Sequence, residues 1–445
     1  MVKKMKKIRF YLAKILGKLS NLGLKILGRN IPYYPGFVAL KVCPEFLHYV
    51  KKPKLIIAVT GTNGKTTICG LLKDCLENMG LTVLNNNGFN IDTGIASMFL
   101  KQKKVSDVAI VEIDEKTSGE IFKSIVPNYF ICTNLFRDSM KTNSSVEFIL
   151  SKIREGIPEK TKLILNADDL LTVEIGRGRK NIYFGIKESI NKKNYPHLFC
   201  DLVYCPKCGG KLIYTDIKYY HIGNVYCSNC GDTNPERNYE GKVSFEKKKL
   251  YINEEDFPLK ANSIFNIYNY LAVISLLKEI GFSKDQIVSS LEKVKIIDSR
   301  FYQEKIGNIT LINQMAKGQN PVACSSVFEY LQNEQGRKCV LLMLDDVTDN
   351  RYSSETVAWY YDTDFEILKN SSICQVIISG KRWRDLYVRL LLAEINPEKI
   401  WTAEKETDMA AKIRYEKIDK IFLLHDITSY DQSLQVKESI KERLS

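Results

Sequence analysis

The string Thr60-Gly61-Thr62-Asn63-Gly64-Lys65-Thr66-Thr67 carries the residue types that grip and transfer a phosphoryl group. Gly61 and Gly64 let the backbone curl until its N–H groups surround phosphate oxygens. Lys65 reaches the β- and γ-phosphates, and the Thr66 hydroxyl is placed to ligate Mg²⁺. The apolar run Leu55 to Val59 precedes the string and a helical pattern, Ile68 to Met79, follows it. That strand–loop–helix setting is the one such a loop requires. Val59 stands where the general pattern has glycine, so the match is to a narrower form of the loop. Glu112, with Asp114 and Glu115 just beyond it, ends another apolar run, Val108 to Ile113. A carboxylate at such a strand end suits Mg²⁺, directly or through water. Asn266 and Asn269 share one face of an apolar helix. Carboxamides buried there cost stability unless paired, and ligand contact accounts for them better than packing. Arg300 is a candidate contact to nucleotide phosphate. This set predicts ATP and Mg²⁺ as ligands.

A second set is built from sulfur. Cys205-Pro206-Lys207-Cys208 and Cys227-Ser228-Asn229-Cys230 are separated by 18 residues, and Gly209 and Gly231 follow the second cysteine of each pair. Two such knuckles aim four thiolates at one point, which predicts a structural Zn²⁺ site with no open position and therefore no catalysis. Cys200, His197 and His221 lie nearby in sequence but a tetrahedral site does not need them. The aromatic and lysine residues between the knuckles are expected to build the small core of a ribbon and not a nucleic-acid face.

These residues need scaffolds. Strands are expected at Thr82–Leu84, Val108–Ile113, Tyr129–Cys132 and Leu163–Leu165, alternating with helices and ending in polar clusters such as Thr133-Asn134 and Asn166-Ala167-Asp168-Asp169. That alternation predicts a doubly wound parallel sheet. A further α/β unit follows. Its strands are expected at Asn308–Ile312, Cys339–Leu344, Val376–Ser379 and Ile421–Leu424. Its loops hold Lys317, Asn320 and Pro321, then Asp345 to Tyr352, Trp359 to Glu366 and Gly380 to Asp385. Residues 1 to about 28 read as a basic amphipathic helix. The favoured reading packs it on its own domain with a solvated basic face; the alternative is loose docking on anionic lipid at the inner face of the membrane. The expected organisation is 1–52, a helical segment; 53–300, a P-loop domain with the ribbon inserted at about 195–240; and 301–445, a smaller α/β domain.

The whole chain sets the bounds. At 445 residues it has material for several domains, and 65 Lys and Arg against 52 Asp and Glu give a net charge of +13. That excess favours anionic partners without choosing among them. No apolar run approaches the ~20 residues of a membrane span. The start of the chain lacks a signal-like apolar core with a small-residue cleavage site, so a cytoplasmic protein is expected. Its 12 cysteines are then thiols or metal ligands.

The loop T-G-T-N-G-K-T-T is similar to that of the Mur ligase and folylpolyglutamate synthase superfamily. Several further strings narrow the resemblance. They are V-E-I-D-E around Glu112, T-N-L-F-R-D at 133–138, N-A-D-D at 166–169, the four-cysteine ribbon and N-I-Y-N at 266–269. Arg300, the Lys317–Asn320–Pro321 loop, the stretch from Asp349 to Glu366 and S-G-K-R-W-R-D-L at 379–386 complete it. Together they resemble the MurT family over nearly the whole chain. The resemblance implies a Mur-ligase-like central ATPase domain with a zinc ribbon, and a smaller C-terminal domain. It implies a synthetase that phosphorylates the α-carboxylate of D-glutamate in the lipid II stem peptide. Ammonia from a GatD-like glutaminase partner would then displace phosphate to give D-isoglutamine. It also implies that an aspartate of the C-terminal domain completes the partner's catalytic site, Asp349 first, with Asp362 and Asp364 behind it. Ser353-Ser354, Thr356, Ser139 to Thr142 and Ser299 depart from the family pattern. Two other readings compete: a stand-alone Mur or folylpolyglutamate-type ligase that adds an amino acid, and a basic zinc-ribbon protein that binds nucleic acid.

Overall fold

The computed structural model describes residues 2–138, 145–188, 200–261, 263–294, 301–316, 320–344 and 357–444. Arg300, Lys317 and Asp349 lie outside the described residues. The chain forms two compact units. The first takes in 1–135, 145–195 and 200–295; the second takes in 136–144, 196–199 and 296–445.

The first unit is built on a nine-stranded sheet. Its strands are β1 (Leu55–Thr60), β2 (Val83–Asn85), β3 (Val108–Glu112), β4 (Tyr129–Cys132), β5 (Lys162–Asn166) and β6 (Ile182–Ile186). A separate two-stranded hairpin, β7 (Leu212–Tyr219) and β8 (Ile222–Cys227), carries the cysteine knuckles. The chain then returns to the large sheet with β9 (Tyr239–Ser244), β10 (Lys249–Ile252) and β11 (Glu255–Pro258). The spatial order is β11-β10-β9-β6-β5-β4-β1-β3-β2. From β2 to β9 every neighbouring pair is parallel, and only β9, β10 and β11 run antiparallel. Strand β1 lies inside the sheet, with β3 and β4 on its two sides. It is covered on both faces, so it reads as an unbroken apolar run instead of an alternation. Its C-terminal end therefore opens where neighbouring strand ends can converge on it.

Among the described residues three helices precede the sheet: α1 (Val2–Ile26), α2 (Tyr34–Val42) and the short α3 (Phe46–Tyr49). Ala13, Ala39 and Phe46 join the core of this unit with Ile95, Phe99 and Leu100 of the helix Asp92–Lys101.

The second unit is a six-stranded sheet. Its strands are β12 (Phe301–Ile306), β13 (Ile309–Met315), β14 (Lys338–Met343), β15 (Ile373–Ile378), β16 (Ile400–Thr402) and β17 (Lys420–His425), in the order β12-β13-β17-β14-β15-β16. Only the β12–β13 hairpin is antiparallel. Alternate residues of β14 enter two cores. Val340 and Leu342 pack with Phe328, Trp359 and Phe365, whereas Cys339, Leu341 and Met343 pack with Met409, Val436 and Ile440. Each face of the sheet is thus covered, as in other doubly wound α/β layers.

Candidate active site and metal centre

The loop after β1 ends at Gly64, and the helix Lys65–Asn78 begins there. Gly64 has φ +94° and Gly61 φ +127°, both left-handed conformations. Space is as limiting as torsion. A Cβ on Gly64 would lie 2.3 Å from Asn269 Oδ1, and one on Gly61 would lie 2.2 Å from Thr133 Oγ1. The first amides of a helix have no intrahelical acceptor, so this turn directs N–H groups and the positive end of the helix dipole out of the loop.

The end of β4 braces the loop. Thr62 N–H donates to the Asn134 carbonyl (2.9 Å), and Asn63 N–H donates to Asn134 Oδ1 (3.0 Å). The Thr133 hydroxyl and the Asn134 amide both donate to the Asn63 carbonyl, at 2.7 and 3.1 Å. The polar Thr-Asn pair at this strand end therefore holds the shape of the loop.

Lys65 Nζ donates to the Gly61 carbonyl (2.6 Å) and to Glu115 Oε1 (2.7 Å). The Thr66 hydroxyl donates to Glu112 Oε1 at 3.2 Å. The Glu112 backbone is fixed from both sides by Asn86, which accepts from Glu112 N (2.9 Å) and donates to its carbonyl (2.8 Å). A buried carboxylate and a hydroxyl held together at the loop mouth are oxygen donors of the kind Mg²⁺ takes, so the residues fit that ion. Sequence reasoning did not assign Asn86 a role. Its signal was the run of asparagines after β2.

Asn266 and Asn269 are on one face of the helix Ile264–Glu279, and Asn269 Nδ2 donates to Asn266 Oδ1 (3.2 Å). The two carboxamides thus satisfy part of each other's need, with Asn269 directed at Gly64. Gly61, Thr62, Asn63, Gly64, Lys65, Thr66, Thr67, Glu112, Asn266 and Asn269 all belong to the first unit, and the contacts above draw most of them to the end of β1.

The polar cluster Asn166–Asp169 behaves differently. Asp168 is fully buried and accepts from Arg237 Nε (2.8 Å), Arg237 Nη2 (2.6 Å), the Tyr268 hydroxyl (2.6 Å) and Ile186 N–H (2.7 Å). Burial raises its carboxyl above the ordinary range even though Arg237 opposes the shift. Asp169 accepts from Leu135 N–H and Leu171 N–H, each at 2.9 Å, and lies 3.4 Å from His221 Nε2. This strand end ties strands, helix and ribbon together.

The four ribbon cysteines form the metal candidate. Their Sγ atoms all lie within 4.8 Å of one another, with Cys205–Cys230 at 3.8 Å and Cys208–Cys227 at 3.5 Å. A tetrahedron with Zn–S near 2.3 Å has edges of about 3.8 Å, so the sulfurs fit that ion. Gly209 N–H and Gly231 N–H donate to the carbonyls of Cys205 (2.8 Å) and Cys227 (3.0 Å), closing the two knuckles. The Gly210 N–H, followed by the Asn229 side chain, lowers the Cys208 thiol to about 6.

In the second unit, Trp359, Tyr360 and Phe365 are core residues. Asp364 is buried, with its N–H donating to Ser325 Oγ (2.9 Å). Asp362 is half-buried and lies 3.5 Å from Arg137, which belongs to the same unit. Asn320 is fully buried and caps the helix Pro321–Asn333 by accepting from Ala323 N–H (2.8 Å).

Comparison with known proteins supplies the family. Residues 59–277 match the Mur ligase middle domain model, and residues 318–430 match the MurT ligase C-terminal model. The chain is 31% identical over 396 residues to the lipid II isoglutaminyl synthase (glutamine-hydrolyzing) subunit MurT of Staphylococcus aureus (strain COL), covering 87% of this chain and 89% of that protein. It is 26% identical to the MurT subunit of Streptococcus pneumoniae R6 over 97% of both chains. Among solved structures, a pseudomurein peptide ligase type C from Methanothermus fervidus aligns with a TM-score of 0.66 at 25% identity. That alignment covers 90% of this chain and 80% of that one. The MurF ligase of Thermotoga maritima in complex with ADP aligns with a TM-score of 0.57 at 18% identity, covering 88% and 81%. With this loop, this sheet and these matches, the chain belongs to the MurT family of ligase subunits, built on the Mur ligase fold.

Proposed function

We propose that this protein is the ATP-dependent synthetase subunit that converts the α-carboxylate of D-glutamate in the lipid II stem peptide to an amide. A carboxylate resists ammonia because its leaving group would be oxide. Transfer of the γ-phosphoryl group from ATP to a carboxylate oxygen gives an acyl phosphate, and attack of ammonia at the carbonyl carbon expels phosphate. Lys65 and the amides of the Gly61–Thr67 turn would hold the transferring group and offset its charge. Thr66 and Glu112 would hold Mg²⁺, which would supply positive charge to offset that of the phosphate oxygens. The ribbon would hold Zn²⁺ structurally. Asn266 and Asn269 would line the nucleotide side, with Arg300 as a further phosphate contact.

The observation that carries the reading is the meeting of Thr66 and Glu112 beside Lys65, in a chain whose last third matches the MurT ligase C-terminal model. The ammonia would come from a GatD-like glutaminase subunit, with Asp349 orienting the partner's catalytic histidine and Asp362 and Asp364 as the next candidates. The acceptor would be lipid II or a related muropeptide, so the work would be done in the cytoplasm, at the inner face of the membrane where the acceptor is lipid-linked. The test is ATP turnover with a D-glutamate-bearing muropeptide and either ammonium or glutamine plus glutaminase. The expected product differs from the substrate by a hydroxyl exchanged for an amino group. Gain of a whole amino-acid residue would instead establish a stand-alone ligase. Asp349→Asn is expected to cut the glutamine-dependent reaction and to spare the ammonium-dependent one. Equal loss of both would put Asp349 in the synthetase site.

A further inference from the structure

We propose that α1 docks this protein on an anionic lipid bilayer through the face it turns to solvent. The helix is two-sided in an unusual sense. Its small residues face the protein: Ala13 and Gly17 are buried, and a Cβ on Gly17 would lie 2.7 Å from Leu100 Cδ1 and 3.0 Å from the Pro35 carbonyl. Its large aliphatic residues face away. Ile8, Leu12, Ile15, Leu19, Leu22 and Ile26 are each 48–77% exposed. At about 100° per residue they fall in one stripe about 80° wide, centred about 160° round the helix from Ala13 and Gly17. Single exposed apolar side chains are ordinary, but a continuous row over five turns is not.

A row of cations runs beside the stripe. Lys7, Lys14, Lys18 and Lys25 fall on one flank, about 100° from its centre at the same pitch. Among the described residues none of the four has an ion-pair partner. Lys6, on the packed side, pairs with Glu45 at 2.8 Å. Residues 1–44 contain ten Lys and Arg and no Asp or Glu.

Charge selects the occupant. A second copy of the chain pairing through this face would bring two lysine rows together with no acid to answer them, which like-charge repulsion opposes. An anionic bilayer answers both features: the aliphatic stripe enters the headgroup boundary while lysine stems extend to lipid phosphates. No described helix is long and apolar enough to cross a membrane, so α1 would lie on the surface. The loop after α1 connects this face to the site. Asn30 and Pro32 line a cavity of about 240 Å³ together with Asn86 and Phe89, and Asn86 holds the backbone of Glu112.

The experiment uses the full chain and vesicles free of any substrate, so its outcome is independent of the reaction proposed above. Co-sedimentation is compared between vesicles of equal phosphatidylglycerol and phosphatidylcholine and vesicles of phosphatidylcholine alone. Binding to the anionic vesicles, weakened by salt, is expected. Leu12→Gln with Leu19→Gln, and separately Lys14→Ser with Lys18→Ser, are each expected to reduce it at least about tenfold. Leu12, Leu19 and Lys18 are exposed and Lys14 is half-buried without an ion pair among the described residues, so melting temperature and ATP turnover in solution should not change. Failure of the unaltered chain to bind anionic vesicles, or binding insensitive to both pairs, overturns the proposal. So does a dimer in solution that becomes a monomer on Leu12→Gln with Leu19→Gln, which would make the stripe a protein interface.

Discussion

Two strand ends of the same sheet carry buried carboxylates, and their partners differ in kind. At the end of β3, Glu112 and Glu115 each meet a polar side chain from the start of one helix, Thr66 and Lys65. Just beyond the end of β5, Asp168 has four hydrogen bonds from three partners and Asp169 accepts two backbone N–H groups. The first arrangement uses side-chain contacts that a phosphate or a cation can replace. The second fills its lone pairs with donors fixed by the fold, leaving little for a ligand to gain. Residue type alone does not separate a carboxylate whose partners a ligand could replace from a bracing one; the number and rigidity of those partners does.

The comparison can be broken in three ways. The largest effect is expected from Asp168→Ala, which takes the fully buried carboxylate away from the largely covered Arg237 and from the Tyr268 hydroxyl. Breaking a buried pair costs about 3–5 kcal/mol, which urea unfolding would read as a lower midpoint. Unchanged stability with loss of ATP turnover would move Asp168 into the active site. Next is Lys65→Ala, expected to lower ATP turnover by about 10²–10³-fold, a factor typical of removing one preorganised charge-stabilising donor. The variant should fold with a lowered melting temperature, because the buried Glu115 loses its ion-pair partner, and undiminished turnover would refute the phosphate-loop assignment. The smallest effect is expected from Cys208→Ser, at the exposed edge of the ribbon. Zinc measured by elemental analysis should fall and stability should drop by about 1–3 kcal/mol, with turnover by the folded fraction unchanged. The ribbon leans on the bracing strand end through Gly223 N–H to the Asp168 carbonyl (2.8 Å), so disturbance there should reach stability before catalysis.

Helix α1 sharpens the same lesson at the surface. The sequence shows lysines interleaved with aliphatic residues, a pattern that fits either packing or lipid docking. A packed side and an exposed side occur on the one helix, because Ala13 and Gly17 form a narrow packed side and free the broad aliphatic side. Periodicity finds the aliphatic stripe but cannot tell which side the rest of the protein covers. Similarly, Asn320 reads as a polar loop residue next to Pro321, and the structure uses it as a helix cap.

What the sequence determined by itself was local. Glycine torsions, the strand–loop–helix order around Lys65 and the spacing of four cysteines are set by neighbours in the chain, and short-range geometry leaves them few alternatives. What only the tertiary structure decided was long-range. It brings Asn269 against Gly64 and Thr133-Asn134 under the loop, gives Asp168 its partner Arg237, and turns six aliphatic side chains of α1 to solvent. Those outcomes depend on which strand lies beside which and which helix face is covered, and residues tens to hundreds of positions apart settle that by packing together.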